Sequence, residues 1–530
     1  MNKLALITII TITTILFSCS NEKVSKIDNP VDTIQLTSDI LTPEVLWSYG
    51  RVSGVEISPD HTTVLFGVSF YSVEKNKGNS EIFIIPTEGG DAVNITNTEF
   101  GEYSAIWRPD GKKIGFLSAE SGDLQMWEMN PDGSNRVQIS NIEGGINGFK
   151  YSPDQTKVVF IKDVKIDKSV VDIYPDLPKA EARIETDLMY RHWDKWHDYT
   201  FSHVFIADYD GKSLSNSIDI MEGERFDSPM EPFGGMEEIN WSPDSKEIAY
   251  TCKKKVGKEY AISTNSAIYI YNLESKSTKN ITEGLMGYDI APAYSPNGKM
   301  IAWESMERDG YESDQNRLFI LNFETGERKD YTIDFDQDVH SLAWTEDSKS
   351  VYFTSDYQAK FQIYKLTVES GEIKQITQGT HNYRSVYPFG DKLIGTKQSM
   401  TLPTEIYSID ASTGEETQLS FINKNLHDQL TYGNVEERWI KTTDNKDMLV
   451  WVIYPPHFDP NKKYPALLYC QGGPHGSVSQ FYSYRWNFQM MAANDYIIVA
   501  PNRRGLPSFG KEWNDQISGD YGGQNMKDYL

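Results

Sequence analysis

The sequence predicts an all-β, seven-bladed propeller over residues 42–433, followed by an α/β segment from residue 434. Three observations predict this order: a turn motif that recurs along the chain, a second motif that closes each repeat, and a change of pattern after residue 433. The chain has 530 residues, of which 39% are hydrophobic, so it is long enough for two or three domains with cores of their own.

The recurring turn carries Ser-Pro-Asp or a variant of it and leads into a short β-rich strand. Proline presets φ at the first corner of a β-turn, and Asp, Asn and Gly tolerate the following corners. Repeats of ~40–50 residues built from four short strands are typical of β-propellers. The copies are Ser58-Pro59-Asp60, Arg108-Pro109-Asp110, Ser152-Pro153-Asp154, Ser242-Pro243-Asp244, Ser295-Pro296-Asn297, the weaker Thr345-Glu346-Asp347 and the degenerate Gly390-Asp391.

The second motif is a polar residue, an apolar residue and a hydroxyl residue at the end of each repeat. Its copies are Asn94-Ile95-Thr96, Gln138-Ile139-Ser140, Asn280-Ile281-Thr282, Gln375-Ile376-Thr377 and Gln418-Leu419-Ser420. Two copies also read as glycosylation-like sequons, and their position in the repeat explains them as repeat structure.

One repeat is interrupted by an insertion at residues 163–203. The stretch Leu177–Leu188 is rich in Lys, Glu and Ala and is predicted to be helical. It is followed by Tyr190–His197, which is dense in aromatic and charged residues. Insertions into a blade lie at a rim, where they face a partner domain or a ligand. A packed lid without chemistry is the alternative interpretation.

The N-terminus predicts export. Residues 1–18 have a basic start and a short apolar run that is too short to span a bilayer comfortably, as in a signal peptide. The run ends in Leu16-Phe17-Ser18-Cys19, which resembles the lipobox of bacterial lipoproteins. We therefore predict that Cys19 is lipidated, that residues 19–41 form a tether, and that the protein is anchored in the cell envelope facing the periplasm. A plain cleaved signal peptide is the alternative.

Net charge and residue spacing argue against nucleic-acid binding and against calcium or zinc sites. The formal net charge of −25 repels phosphate backbones, so we predict no nucleic-acid partner. Asp334, Asp336 and Asp338 alternate as in a calcium loop, but Val339 occupies the position where such a loop requires Gly. The nine His residues lack the spacing of a zinc site, so no metal and no cofactor are predicted.

The pattern after residue 433 is that of an α/β domain. Apolar runs at Tyr464–Cys470 and Tyr496–Pro501 predict buried strands, and Arg485–Asn494 predicts a helix between them. The loop Gln471–Gly476 follows the first of these strands. Its glycines permit close backbone approach, so its N–H groups are candidates for stabilising an oxyanion.

Taken together, these motifs resemble the prolyl oligopeptidase family of serine peptidases, and its dipeptidyl-peptidase branch most of all. The resemblance rests on the propeller repeats, the Tyr464–Pro474 block, Asn502-Arg503-Arg504-Gly505 and Phe509–Trp513. It implies that residues 434–530 are the start of an α/β-hydrolase domain, with the active site between that domain and the propeller.

The resemblance also implies a Ser on a Gly-x-Ser-x-Gly turn, followed in chain order by Asp and His. None of the 530 residues forms that motif, and residues 434–530 supply 97 residues where the fold commonly needs ~200–250. We therefore predict that the chain stops before the catalytic triad and is inactive by itself. Gly473 is the candidate backbone donor to the oxyanion, because Gln471 replaces the Tyr or His that is frequent in relatives.

The predicted activity is release of dipeptides from peptide N-termini, so peptides are the expected partners. A dipeptidyl peptidase must bind the substrate's ammonium group at a fixed distance from its nucleophile, and acidic side chains suit that task. The candidates are Glu181, Glu185 and Asp187 in the insertion and Glu307 in a later loop. An acylaminoacyl peptidase, an oligopeptidase and a non-enzymatic peptide-binding propeller lipoprotein remain alternatives. The oligomeric state is left open.

Overall fold

The computed structural model describes residues 30–472 and 476–530. In these ranges, seven four-stranded antiparallel sheets follow one another along the chain, and one mixed four-stranded sheet comes last. The signal segment, Cys19 and Gly473 lie outside the described residues.

The seven antiparallel sheets are numbered 1 to 7 in chain order. Sheet 1 contains β1 (Arg51–Ile57), β2 (Thr63–Ser72), β3 (Lys77–Pro86) and β4 (Val93–Asn94). Sheet 2 contains β5 (Tyr103–Trp107), β6 (Ile114–Ser118), β7 (Gln125–Met129) and β8 (Val137–Gln138). Sheet 3 contains β9 (Gly148–Tyr151), β10 (Lys157–Lys165), β13 (Thr200–Tyr209) and β14 (Leu214–Asp219), with the hairpin β11 (Arg191–His192) and β12 (Lys195–Trp196) inserted. Sheet 4 contains β15 (Ile239–Trp241), β16 (Glu247–Cys252), β17 (Ala267–Asn272) and β18 (Ser277–Asn280).

The remaining sheets complete the array. Sheet 5 contains β19 (Asp289–Tyr294), β20 (Met300–Ser305), β21 (Arg317–Asn322) and β22 (Arg328–Asp330). Sheet 6 contains β23 (His340–Trp344), β24 (Ser350–Tyr357), β25 (Lys360–Thr367) and β26 (Glu372–Gln375). Sheet 7 contains β27 (Asn382–Phe389), β28 (Lys392–Gln398), β29 (Glu405–Asp410) and β30 (Glu416–Gln418). The mixed sheet contains β31 (Val435–Lys441), β32 (Asp447–Ile453), β33 (Ala466–Leu468) and β34 (Ile497–Pro501).

The helices are short. They are α1 (Pro43–Trp47), α2 (Val170–Ile173), α3 (Gly257–Ile262), α4 (Lys424–His427), α5 (Phe488–Ala492), α6 (Lys511–Asp515) and α7 (Gln524–Tyr529), with 3-10 turns at Pro30–Thr33 and Met236–Glu238. In residues 30–472 and 476–530, no helix has the length and apolar character that crossing a membrane requires.

The recurring turn motif joins the first and second strands of a sheet and is held by its own side chains. Ser58 donates its hydroxyl to Asp60 (2.6 Å), while the backbone N–H of Thr63 donates to the Ser58 hydroxyl (2.9 Å). The same arrangement recurs at Ser152 and Ser242. These bonds span at most five residues, which explains why the motif is visible in the sequence.

The closing motif also has a structural cause. Its hydroxyl oxygen accepts a hydrogen bond from a backbone N–H in the third strand of the same sheet: Ile82 donates to Thr96 (2.9 Å) and Met126 donates to Ser140 (2.8 Å). The sequon residue Asn94 is buried and accepts a hydrogen bond from the N–H of Thr96 (3.0 Å). Its role in the repeat is therefore structural, as the sequence predicts.

An apolar cluster lies between each pair of neighbouring sheets, and the last cluster joins sheet 7 to sheet 1. There, Val64 and Phe66 of β2 pack with Ile394 of β28 and Ile406 of β29. The other six neighbouring pairs have their own clusters. The sheets thus close into a ring, which is the arrangement of a β-propeller.

The mixed sheet has the order β31-β32-β34-β33, in which β33 is parallel to β34 and β32 is antiparallel to it. Both predicted apolar strands are present, although β33 is exposed at the edge. The predicted helix is shorter than expected and buries Phe488 and Ala492, whereas Trp486 is exposed.

The insertion contains little regular structure. β10 and β13 pair as far as Lys165 and Thr200, so the excursion itself spans residues 166–199. The predicted helix at Leu177–Leu188 is wrong: this stretch is irregular and almost wholly exposed. A short helix without a buried face has little to stabilise it in water, whatever its intrinsic propensity.

Candidate active site

The α/β segment docks on sheets 6 and 7 of the propeller through hydrogen bonds. The N–H of Ala359, in the turn between β24 and β25, donates to the hydroxyl of Ser508 (2.7 Å). Asn382 at the start of β27 donates to the hydroxyl of Ser479 (2.9 Å). Ser479 follows the glycine-rich loop closely, so the chain that leaves this loop lies at the junction between the two domains.

The glycine-rich loop is fixed at both ends. The carbonyl of Gln471 accepts hydrogen bonds from the guanidinium of Arg503 (2.9 Å) and from the hydroxyl of Tyr529 (3.4 Å). Downstream, the side chain of Asn502 accepts from the N–H of Val478 (2.8 Å) and donates to its carbonyl (3.2 Å). The oxyanion candidate Gly473 lies between these anchors but outside the described residues.

A buried arginine joins helix α7 to the loop after β34. The Arg504 guanidinium pairs with Asp528 (3.1 Å), whose side chain is inaccessible to solvent, and also binds Asp444 in the turn between β31 and β32. The hydrogen bonds from Arg504 hold the pKa of the Asp444 carboxyl below its usual range. Arg504 therefore connects three parts of the α/β segment next to the glycine-rich loop.

The loop between β20 and β21 forms ion pairs with helix α6 of the α/β segment. Glu307 pairs with Lys511 (2.9 Å), which lowers the pKa of the Glu307 carboxyl. Arg308 pairs with Asp515 (2.9 Å) and with Asp314 (2.6 Å). Glu307, a predicted ligand of the substrate ammonium, is thus already engaged by a lysine across the domain junction.

The insertion lines an open cavity of about 350 Å³, which we call the insertion cavity. Two of the predicted carboxylates, Glu185 and Asp187, line it, whereas Glu181 is exposed and does not. Aromatic and acidic side chains from outside the insertion complete it. They include Tyr260 of α3 and, from the loop after β14, Asp227 and Glu231, and the basic side chains of Arg225 and Lys255 line the cavity as well.

Asp227 and Glu231 are site candidates that the sequence analysis missed. No motif marks them, and only the insertion's fold brings them beside Asp187. Glu231 pairs with Lys195 (2.6 Å), while Asp227 accepts a hydrogen bond from the N–H of Ser202 (2.9 Å). Burial raises the pKa of the Asp227 carboxyl to about 7, so this group is partly protonated near neutral pH until a cation beside it favours the carboxylate.

The backbone of α3 approaches Asp187 closely. Gly257 has a φ of +59°, and a Cβ atom at this position would lie 2.4 Å from a carboxylate oxygen of Asp187. Only glycine therefore leaves the Asp187 side chain in its present place.

A continuous set of contacts connects the insertion cavity to the α/β segment. Ser263, directly after α3, donates its hydroxyl to Asp309 (2.6 Å) in the β20–β21 loop. The neighbouring Arg308 then pairs with Asp515 in α6. The cavity is thus attached to the same loop that meets the α/β segment.

Comparisons with known proteins agree with this architecture. Residues 174–431 match the TolB beta propeller domain, and residues 482–530 match the Prolyl oligopeptidase family. Dipeptidyl-peptidase 5 of Porphyromonas gingivalis is 50% identical over 494 residues, which are 93% of this chain and 72% of that protein. Dipeptidyl-peptidase 5 of Porphyromonas endodontalis is 44% identical over 493 residues, with 93% and 71% covered.

Solved structures share the fold at low sequence identity. The acylaminoacyl peptidase of Pyrococcus horikoshii superposes with a TM-score of 0.74 at 19% identity, covering 92% of this chain and 71% of that one. A puromycin hydrolase superposes with a TM-score of 0.64 at 12% identity, covering 92% and 72%.

A β-propeller joined to an α/β peptidase domain defines a two-domain hydrolase. This chain belongs to the prolyl oligopeptidase family of serine peptidases.

Proposed function

We propose that this protein is a serine dipeptidyl peptidase that removes dipeptides from the free N-termini of peptides. The observation that carries the proposal is the insertion cavity, where Asp187 and Asp227 have no basic partner among the ion pairs of the described residues. The identity to two dipeptidyl-peptidases supports the same activity.

The chemistry of the cavity suits a peptide N-terminus. An ammonium group that loses part of its hydration on binding is stabilised by nearby carboxylates, because an unpaired charge away from water is costly. Asp187 and Asp227 supply that charge, and Tyr260 and Trp196 offer aromatic surface to the first side chains of a peptide. Glu185 is the other carboxylate of the cavity, besides Asp187, that the sequence predicts.

For the architecture, we infer that the seven sheets are the blades of a seven-bladed propeller and that the mixed sheet is the first part of an α/β-hydrolase domain. The supporting observations are the ring of apolar clusters and the parallel β33–β34 pair. Because the 530 residues contain no Gly-x-Ser-x-Gly, we further propose that the Ser, Asp and His of the triad are not among them.

Paired substrates test the activity and the cavity together. The assay uses the full-length gene product, together with any residues encoded after Leu530. It is given dipeptidyl substrates with a free amine and, separately, the same substrates with an acetylated N-terminus. We expect turnover of the free-amine series only. Turnover of the acetylated series alone would favour an acylaminoacyl peptidase, and no turnover of either would favour a peptide-binding propeller.

Asp227→Asn should raise KM for free-amine substrates about 10–100-fold, since hydrogen bonds to charged groups contribute about 1.5–3 kcal/mol. Asp187→Asn should act in the same direction. The matched control is Glu181→Gln, an exposed carboxylate of the same insertion that does not line the cavity. Equal KM values for all three variants and the wild type would show that the insertion cavity does not bind the substrate's ammonium group.

We also propose that the protein is lipid-anchored through Cys19 in the bacterial cell envelope, with its domains facing the periplasm. Metabolic labelling with a palmitate analogue should mark the wild type and not Cys19→Ala. Cys252→Ala is the control, because that thiol is buried within sheet 4. Labelling of Cys19→Ala at the wild-type level would contradict the anchor.

A further inference from the structure

Three side chains from sheet 6 converge where the propeller meets the α/β segment. They are Asp338, two residues before β23 begins, His340, the first residue of β23, and Asp356, near the end of β24. One potential ligand atom from each lies within 4.8 Å of the other two. We call this group the sheet 6 triad.

The most buried member of the triad has an unused acceptor. Asp356 is 1% exposed, and in residues 30–472 and 476–530 its Oδ1 has no hydrogen-bond partner. Its other oxygen accepts a long hydrogen bond from Ser477 (3.4 Å), and the hydroxyl of Ser508 also interacts with this carboxyl. A buried carboxylate oxygen without a partner carries its full desolvation cost, so a cation at this position would relieve it.

Two further polar side chains surround the histidine. Glu304, at the end of β20, has Oε2 3.9 Å from Nδ1 of His340. Asn316 donates to the same Glu304 oxygen (2.7 Å), and its own side-chain oxygen is buried without a partner in the described part of the chain. A carboxylate beside a histidine is the usual arrangement that orients an imidazole toward a metal ion.

We propose that Asp338, His340 and Asp356 bind one divalent transition-metal ion, with Zn²⁺ best suited to the donors. One imidazole nitrogen and two carboxylate oxygens match the ligands of zinc, whereas calcium takes oxygen ligands alone. At a tetrahedral ion, ligand atoms ~2.0–2.2 Å from the metal lie ~3.3–3.6 Å apart, so side-chain movements of about 1 Å would close the site. Water completes the coordination.

An ion bound at this position would stabilise the contact between the propeller and the α/β segment. Asp338 and His340 are partly exposed, so an ion has a path of entry, while Asp356 contacts Ser477 of the α/β segment. The ion would therefore fix the propeller surface on which the residues after the glycine-rich loop rest. This proposal is independent of the dipeptidyl-peptidase activity.

Binding of the metal alone tests the proposal. The protein is stripped with a chelator, and Zn²⁺, Mn²⁺ and Ca²⁺ are titrated separately by calorimetry. We expect about one equivalent of Zn²⁺ to bind, more tightly than Ca²⁺, with a rise in Tm. Failure of the wild type to bind about one equivalent of either Zn²⁺ or Mn²⁺ would overturn the proposal.

Variants assign the bound ion to these residues. Asp356→Asn and His340→Gln should abolish the one-equivalent site, and Glu304→Gln should weaken it about 10–100-fold. Asp334→Asn, an exposed carboxylate just upstream, is the matched control and should bind as the wild type does. His340 is partly exposed, so its replacement should be tolerated by the fold. If Asp356→Asn does not fold, metal binding by His340→Gln therefore tests the assignment of the ion to these residues. In Co²⁺-loaded samples, the visible spectrum of His340→Gln should differ from that of the wild type. If His340→Gln binds the metal as tightly as the wild type does, the ion is bound elsewhere.

Discussion

Gly473→Pro is expected to lower kcat for dipeptide release by about 10²–10³, because it deletes the backbone N–H that we assign to the oxyanion. The loop that carries this N–H is held by Arg503 at Gln471 and by Asn502 at Val478. An oxyanion donor is effective when it is oriented before substrate arrives, and the two anchors flank Gly473 in the sequence. Steady-state kinetics on the full-length gene product, with any residues encoded after Leu530, would measure the change in kcat.

Two controls separate the lost donor from damage to the loop. Gly472→Ala should be mild, because a Cβ atom there meets no atom of residues 30–472 and 476–530 within 4 Å. Gln471→Ala should also be mild, since its carbonyl and not its side chain is held by Arg503. If Gln471→Ala lowers kcat as strongly as Gly473→Pro while Tm is unchanged, the donor is the Gln471 side chain and our assignment is wrong.

Arg504→Met is expected to lower the free energy of unfolding of the α/β segment by about 3–5 kcal/mol. Removing one member of a buried ion pair leaves the other charge without compensation. Here the remaining charge is Asp528, which is fully buried and holds helix α7 against the loop after β34. Urea unfolding followed by tryptophan fluorescence would measure the loss.

The matched control is Arg438→Met, which removes an arginine from an exposed pair with Glu436 in the neighbouring strand β31. Exposed pairs contribute about 0–1 kcal/mol, so the two variants should differ clearly. The double variant Arg504→Met/Asp528→Leu should recover part of the stability, because it removes the stranded charge. An Arg504→Met protein as stable as Arg438→Met would mean that water reaches Asp528.

The propeller was readable from the sequence because its markers are local. In the turn motif, Ser58 binds Asp60 and Thr63, all within five residues. The copies at Ser58, Ser152 and Ser242 therefore keep the same residue types at the same spacing, whatever surrounds them. The helix predicted at Leu177–Leu188 failed for the opposite reason: its composition favours a helix, but no neighbouring surface covers it.

The candidate site was only partly readable. The sequence pointed to the insertion, and Glu185 and Asp187 do line its cavity. It also pointed to Glu307, which the structure instead pairs with Lys511. Asp227 was missed because 40 residues separate it from Asp187, and irregular chain carries no periodicity from which their approach could be inferred.

By itself, the sequence determined the repeat architecture, the family resemblance and the position of the glycine-rich loop, since each depends on residues close together in the chain. Only the tertiary structure decided which charges meet. Asp356 lies on β24, whereas His340 begins β23 and Asp338 lies just before that strand, so their convergence depends on the pairing of β23 with β24. Contacts of that kind are fixed by strand pairing and by closure of the ring, which bring together residues that share no local pattern.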